Sequence, residues 1–282
     1  MFFSGVVFLV LVFSPFVWGE EFSFPMPTSM GVQVSSDSEE TKSTSLNLHF
    51  PVLNKALIGL SGELTRQDLD GDEQITRGFN WTLAGHPMRT FGWDVLVGGF
   101  NVDQEFENNY VGIRLGYQGD YWNVFLGRRW QNAVFDTIGS SPERVESSAR
   151  FTQLEIRYFS LSWSVGASAE VGEFEDDIKD INNDLAFLTI PDSALSVVPS
   201  FNSYLNQLFF DYYWTRWSLG LILGESQSAA TSDRSRLVEL QGSYIYNRHH
   251  SFNLGLGTAK TIDSDESESP YNFLSLGFTY TF

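Results

Sequence analysis

Four acids crowd into six positions of the chain, Asp68, Asp70, Asp72 and Glu73, with Gly71 among them. Carboxylate oxygens suit hard cations, and acids at alternate positions let one turn offer several at once. Asp68, Asp70 and Asp72 are therefore the candidate metal ligands. Gly71 does not hold the EF-hand position relative to them, however, and the distal bidentate Glu of such a loop is absent. A solvated acidic loop explains the cluster better. Nucleophilic chemistry has less to work with. No Cys is present, so thiolate catalysis, thiolate metal sites and disulfides are excluded. Of the four His, His86, His249 and His250 fall at expected short turns and His49 lies two residues before Pro51. None stands in a Ser-His-acid spacing, and no Gly-rich phosphate loop leads into a helix. The chain reads as a non-enzyme that needs no cofactor. With 17 basic against 35 acidic residues, a net charge of −18, it would be repelled by polyphosphate, which excludes nucleic acid as a partner held by charge.

The remaining informative charges stand singly inside alternating segments. Leu161, Trp163, Val165, Ala167, Ala169 and Val171 alternate with Ser162, Ser164, Gly166, Ser168, Glu170 and Gly172. Val111, Ile113, Leu115 and Tyr117 alternate with Gly112, Arg114, Gly116 and Gln118. The same period of two runs through 45–52, 217–224, 252–257 and 274–282, and only Ile222 is strongly apolar on the polar side of these six segments. Such alternation means strands with one apolar and one polar face.

Short and long connections alternate. Tight turns are expected near Leu53–Asn54, Gly85–Pro87, Gly119–Asp120, Ser160, Thr215 and Arg248. Longer polar loops are expected at 37–43, 66–74, 103–108, 136–150, 173–200, 225–236 and 260–269. Seven loops and six turns give fourteen strands. The loops hold 26 of the 35 acids and 8 of the 17 bases, the entire net charge of the protein. Aromatics of the apolar face gather beside the short turns: Phe50, Trp93, Tyr117, Trp122, Tyr158, Trp163, Trp214, Trp217, Tyr246 and Phe252. A soluble β-sandwich would also alternate, but it has no reason to hold aromatics at one level, whereas a bilayer interface does. The fold expected is all-β: a transmembrane, antiparallel, up-and-down β-barrel of fourteen strands with short periplasmic turns and long outer loops.

Leu274, Leu276, Phe278, Tyr280 and the terminal Phe282 form a final strand that resembles the C-terminal signal of Gram-negative outer-membrane β-barrel proteins. The resemblance implies outer-membrane localisation and insertion by a barrel assembly machinery that recognises this strand. Outer-membrane lipid and lipopolysaccharide would then surround it. At fourteen strands the analogy is to porin-like barrels and implies a transport role. Two function classes follow: passive diffusion of small hydrophilic solutes with modest cation preference, or a non-conducting barrel with a surface-binding, adhesion or envelope-structure role. Carriers of apolar compounds usually bring a substantial N-terminal plug, and only residues 20–29 precede the first expected strand.

Residues 1–19 hold no charged side chain and include the apolar run Val6–Phe13, then Pro15 and Gly19. This reads as a signal peptide, since the run is shorter than the ~20 residues of a spanning helix; a membrane anchor is the alternative. The division expected is a signal peptide at 1–19, a short periplasmic segment at 20–29 and a barrel at 30–282.

With the apolar face on lipid, parity places Glu63, Asp94, Glu155, Glu170, Asp211 and Glu239 in the lumen, together with Arg114, Arg129 and Arg157 on three consecutive strands. The arginines would either set a field across the lumen or make structural ion pairs, such as Arg157 with Glu155. Arg128, adjacent to Arg129, should face lipid, where a mid-membrane charge costs about 2–4 kcal/mol, so a bulge or a place near the outer interface is expected. Leu205, Phe209, Ile245 and Phe273 project inward against the pattern. The loop at 173–200, acidic and then apolar from Leu185 to Val198, is expected either to enter the lumen as a constriction or to extend the wall.

Overall fold

The structure, a computed structural model, describes residues 28–38, 41–53, 56–69, 72–88, 90–102, 106–136, 144–175, 202–229, 234–262 and 268–282. Residues 1–19, and with them the expected signal peptide, lie outside the described residues, as does most of the loop at 173–200.

The strands are β1 (Ser29–Asp37), β2 (Lys42–Leu53), β3 (Ala56–Leu69), β4 (Asp72–Met88), β5 (Phe91–Val102), β6 (Phe106–Gln118), β7 (Trp122–Asp136), β8 (Arg144–Phe159), β9 (Trp163–Phe174), β10 (Asn202–Tyr213), β11 (Trp217–Ser228), β12 (Arg234–Asn247), β13 (His250–Ile262) and β14 (Glu268–Thr281). Each pairs antiparallel with its neighbours in sequence, and β1 pairs with β14, so the sheet closes into a fourteen-strand barrel. The closing ladder runs from Ser29 opposite Thr281 to Asp37 opposite Phe273. A strand of about twelve residues tilted ~40° rises roughly 30 Å, enough to cross an apolar band of ~25 Å.

The outer surface explains why these strands tolerate exposure of their apolar face. Val34, Leu46, Leu115, Leu126, Leu208, Leu240 and Leu276 all point outward and are exposed, which in water would be a large aggregation surface and in lipid is the required one. Ring contacts run along the rim that carries the short turns: Trp122 with Tyr158 (4.9 Å), Tyr158 with Trp163 (5.4 Å), Trp217 with Tyr244 (4.3 Å), Phe252 with Phe278 (5.4 Å) and Tyr280 with Phe282 (4.8 Å). At the β12–β13 turn, Asn247 Oδ1 accepts from the backbone N–H groups of His249 and His250 at 2.8 and 3.0 Å.

Several boundaries differ from the sequence reading. β4 continues through Gly85, His86 and Pro87 to Met88, and its register against β5 shifts between Gly85 and Met88. Pro87 lacks an N–H, so it disturbs the ladder without ending the strand. The long connections are shorter than expected because the strands run on above the membrane. β3 and β4 pair as far as Leu69 opposite Asp72, so most of 66–74 is hairpin. Polar side chains there mark contact with water, and the backbone still completes its ladder. Charges on these extensions pair across strands: Arg150 with Glu175 at 2.6 Å and Arg236 with Glu225 at 3.9 Å, all four side chains well exposed. Arg128 sits in an unshifted ladder with β6 and β8, so the expected bulge is absent. It reaches Glu173 near the far end of β9 at 3.9 Å, which takes its charge toward the long-loop end of the barrel.

Candidate functional site

The interior is built on pairs of glycine and aromatic residues. Six inward-facing rings lie opposite a glycine on the next strand: Phe100 by Gly78, Tyr110 by Gly98, Phe125 by Gly116, Phe151 by Gly172, Phe209 by Gly166 and Phe273 by Gly257. A Cβ at Gly172 would sit 2.8 Å from Phe151 Cε1, and one at Gly166 would sit 3.2 Å from Phe209 Cδ2. Glycine at these positions leaves room for the ring of the neighbouring strand to lie over bare backbone.

The three arginines lie on three of these rings. Arg114 covers Phe125 at 4.9 Å, Arg129 covers Phe151 at 4.1 Å and Arg157 covers Phe209 at 5.1 Å, measured from the guanidinium carbon to the ring centroid. A guanidinium over a ring face gains cation–π attraction and keeps its N–H fork free at the edge. Carboxylates meet that fork. Arg114 Nε donates to Asp94 at 2.8 Å and its Nη1 lies 3.5 Å from Glu155. Arg129 donates twice to Glu170, both at 3.1 Å. Arg157 lies 3.9 Å from Asp211, which also accepts from Ser164 Oγ at 3.0 Å. Each unit is thus glycine, ring, arginine and carboxylate, layered on the wall from β5 to β10.

The nine charges expected in the lumen stand at inward register positions, and their grouping is not the one parity suggested. Four acids share the wall with the arginines and neutralise them locally, so no field spans the lumen between a basic wall and an acidic one. Arg157 meets Asp211, two strands away, rather than Glu155 on its own strand. Glu63 and Glu239 remain. Thr65 Oγ1 donates to Glu63 at 3.3 Å, Gln241 Nε2 donates to Glu239 at 3.0 Å, and neither acid has a cationic partner among the described residues. They stand on β3 and β12, outside the arginine wall. In its half nearer the short turns, the wall from β11 through β14 to β1 is lined by small polar residues and glycine, including Ser218, Gly220, Asn253, Ser275 and Gln33.

Toward the ends of the strands away from the short turns, the inward residues become apolar. Phe100, Val102, Phe106 and Phe151 are buried on one side, and Leu237, Ala259 and Tyr271 cluster on the other with Ile222 and Phe273 against them. Tyr110 donates to Asn80 between these zones. Phe209 and Phe273 do point inward, Phe209 as the seat of Arg157 and Phe273 as part of that cluster; Leu205 stands opposite Glu170, and Ile245 is exposed beside the register shift that ends β12. The supporting rings Phe125 and Phe151 were missed from sequence. Their signal was a glycine at inward parity on an adjacent strand, which is readable only once the register is known. At the acidic hairpin, Asp68 is the last residue but one of β3 and Asp72 opens β4, while Asp70 and the side chains of the cluster lie outside the described residues.

No protein-family model and no curated protein matches the chain. Among solved structures it is similar to the monoaromatic hydrocarbon channel CymD (TM-score 0.56, 11% identity, covering 90% of this chain and 88% of that one). It is similar to the ΔS2S3 mutant of the monoaromatic hydrocarbon channel TodX (TM-score 0.54, 9% identity, covering 92% and 91%). A more distant match is an anion-selective porin from Comamonas acidovorans (TM-score 0.49, 8% identity, covering 90% and 98%). At these identities the likeness is one of fold: the chain has the closed-barrel architecture of outer-membrane porins and channels.

Proposed function

We propose that this barrel is an outer-membrane channel for passive diffusion of small hydrophilic solutes, with a modest preference for cations. The observation that carries the reading is the disposal of the lumen charges. Three arginines are held over rings and paired with acids, so they do not project as plugs, while Glu63 and Glu239 have no cationic partner among the described residues and add negative charge to the lining whenever they are ionised. The outer strand ends and loops are acidic as well, which disfavours anion entry before the lumen is reached. The names of the two similar hydrocarbon channels accord with the channel part of this reading and not with its solute class or charge preference. One observation favours a non-conducting barrel with a surface role: the buried apolar set around Phe100, Phe151 and Leu237. Conductance of the purified protein in planar bilayers separates the two.

The reading fixes an orientation. Ser29 and Thr281 lie at the end that carries the short turns, which we assign to the periplasm, leaving the acidic hairpins outside among lipopolysaccharide and its bridging cations. Epitope tags placed within 68–73 and within 263–267 should be labelled on intact cells, and a tag at Gly119–Asp120 only after permeabilisation. The reverse pattern would overturn the orientation.

A further inference from the structure

We propose that a recess in the lumen wall between β10 and β14, faced by Gln33 of β1, holds the ammonium group of a small primary amine; this names a solute class for the channel and rests on that reading for access. Glu239 carries the argument. It lines the recess and is 2% exposed; its Oε1 accepts from Gln241 at 3.0 Å, and its Oε2, itself buried, has no hydrogen-bond partner among the described residues. A buried carboxylate oxygen left unpaired is costly unless something in the working protein meets it.

The surroundings select what that is. Asp211 also borders the recess, but Ser164 and Arg157 already answer its charge. Glu239, when ionised, is therefore the one carboxylate of the recess without a cationic partner among the described residues, which matches a monovalent guest. Calcium takes about six to eight oxygens, commonly from several carboxylates, and no group of three His, Cys, Asp or Glu placed to hold a metal ion exists among the described residues. The rest of the lining supplies neutral oxygens: the Ser218 and Ser243 hydroxyls, 2.6 Å from each other, with Ser275 and Asn253. An ammonium has three N–H donors and no acceptor, so one carboxylate with several neutral acceptors around it is its complement. Glycine keeps the space: a Cβ at Gly255 would stand 3.0 Å from Glu239 Oε1, and one at Gly220 would stand 2.8 Å from Asp211 Oδ1.

The test is calorimetric titration of the folded, detergent-solubilised barrel with methylammonium and with tetramethylammonium at constant ionic strength. Methylammonium should bind saturably and tetramethylammonium, bulkier and without N–H donors, at least about tenfold more weakly. Glu239→Gln should weaken methylammonium binding at least about tenfold, whereas Glu63→Gln, the same charge change on another wall, should alter it less than about twofold. Equal binding of the two cations by the unaltered protein would overturn the site without reference to any variant. Equal losses in both variants, or none in Glu239→Gln, would overturn it too. The titration does not depend on conduction. A barrel that conducts but fails to discriminate the cations refutes the site alone, and one that discriminates but does not conduct supports the site and refutes the channel.

Discussion

Replacing Glu170 by alanine is expected to destabilise the barrel by about 2–4 kcal/mol, because it strands a guanidinium that no other described residue neutralises. Arg129 and Glu170 meet through two hydrogen bonds of 3.1 Å, and their side chains are only 15% and 11% exposed. Arg129 is held over Phe151, so it cannot swing freely to water when its partner is lost. An exposed pair would behave differently, since such pairs contribute ~0–1 kcal/mol; Arg150 with Glu175 is the internal comparison, and Glu175→Ala should change stability by less than about 1 kcal/mol. Urea unfolding of the barrel in lipid vesicles reads both. The double replacement Arg129→Met with Glu170→Leu should recover much of the loss, since apolar groups of similar volume often substitute for a buried pair. Equal small effects at Glu170 and Glu175 would show that the lumen screens the pair as bulk water does.

Deletion of Phe282 is expected to lower the amount of folded barrel in the outer membrane about tenfold, the effect of ~1.4 kcal/mol on the balance between inserted and uninserted chain. The backbone N–H of Phe282 donates to Thr28 at 2.9 Å, beside the Ser29–Thr281 pair that begins the closing ladder. Its ring packs edge-on against Tyr280 and remains 68% exposed, as an interfacial anchor would be. The deletion removes a closing hydrogen bond, an anchor and the terminal residue of the strand we assign to the assembly machinery. Heat-modifiable migration on gels reports folding. Normal levels of heat-modifiable protein in the membrane would exclude a role for the terminal aromatic. Phe282→Leu keeps the backbone bond, so a defect in it as well would place the effect in the ring.

Period two made the barrel legible before any coordinates, because lipid demands apolar side chains on alternate residues with few exceptions. Parity alone also put Arg114, Glu170 and their fellows inside. The ends of the strands were not legible. Outside the membrane a β-ladder carries polar residues on both faces, and Arg66–Gln74 looks like a loop whether or not its backbone is paired. Nor was the pairing of Arg157 with Asp211, which depends on how β8 and β10 stand across Gly166 and Ser164 of β9. The rings beneath the arginines were hidden for a similar reason. Phe125 sits between Val124 and Leu126 and looks like part of an apolar run, until the register sets it opposite Gly116.

The central claim is that the wall-bound arginines leave a lumen whose surplus charge is acidic. Reversal potentials of the purified protein in planar bilayers, under a salt gradient, test it most directly. The account predicts measurable conductance with a modest cation preference at low salt, fading as the screening length falls to ~3 Å near 1 M. Anion preference at low salt, or no conductance at all, would contradict it.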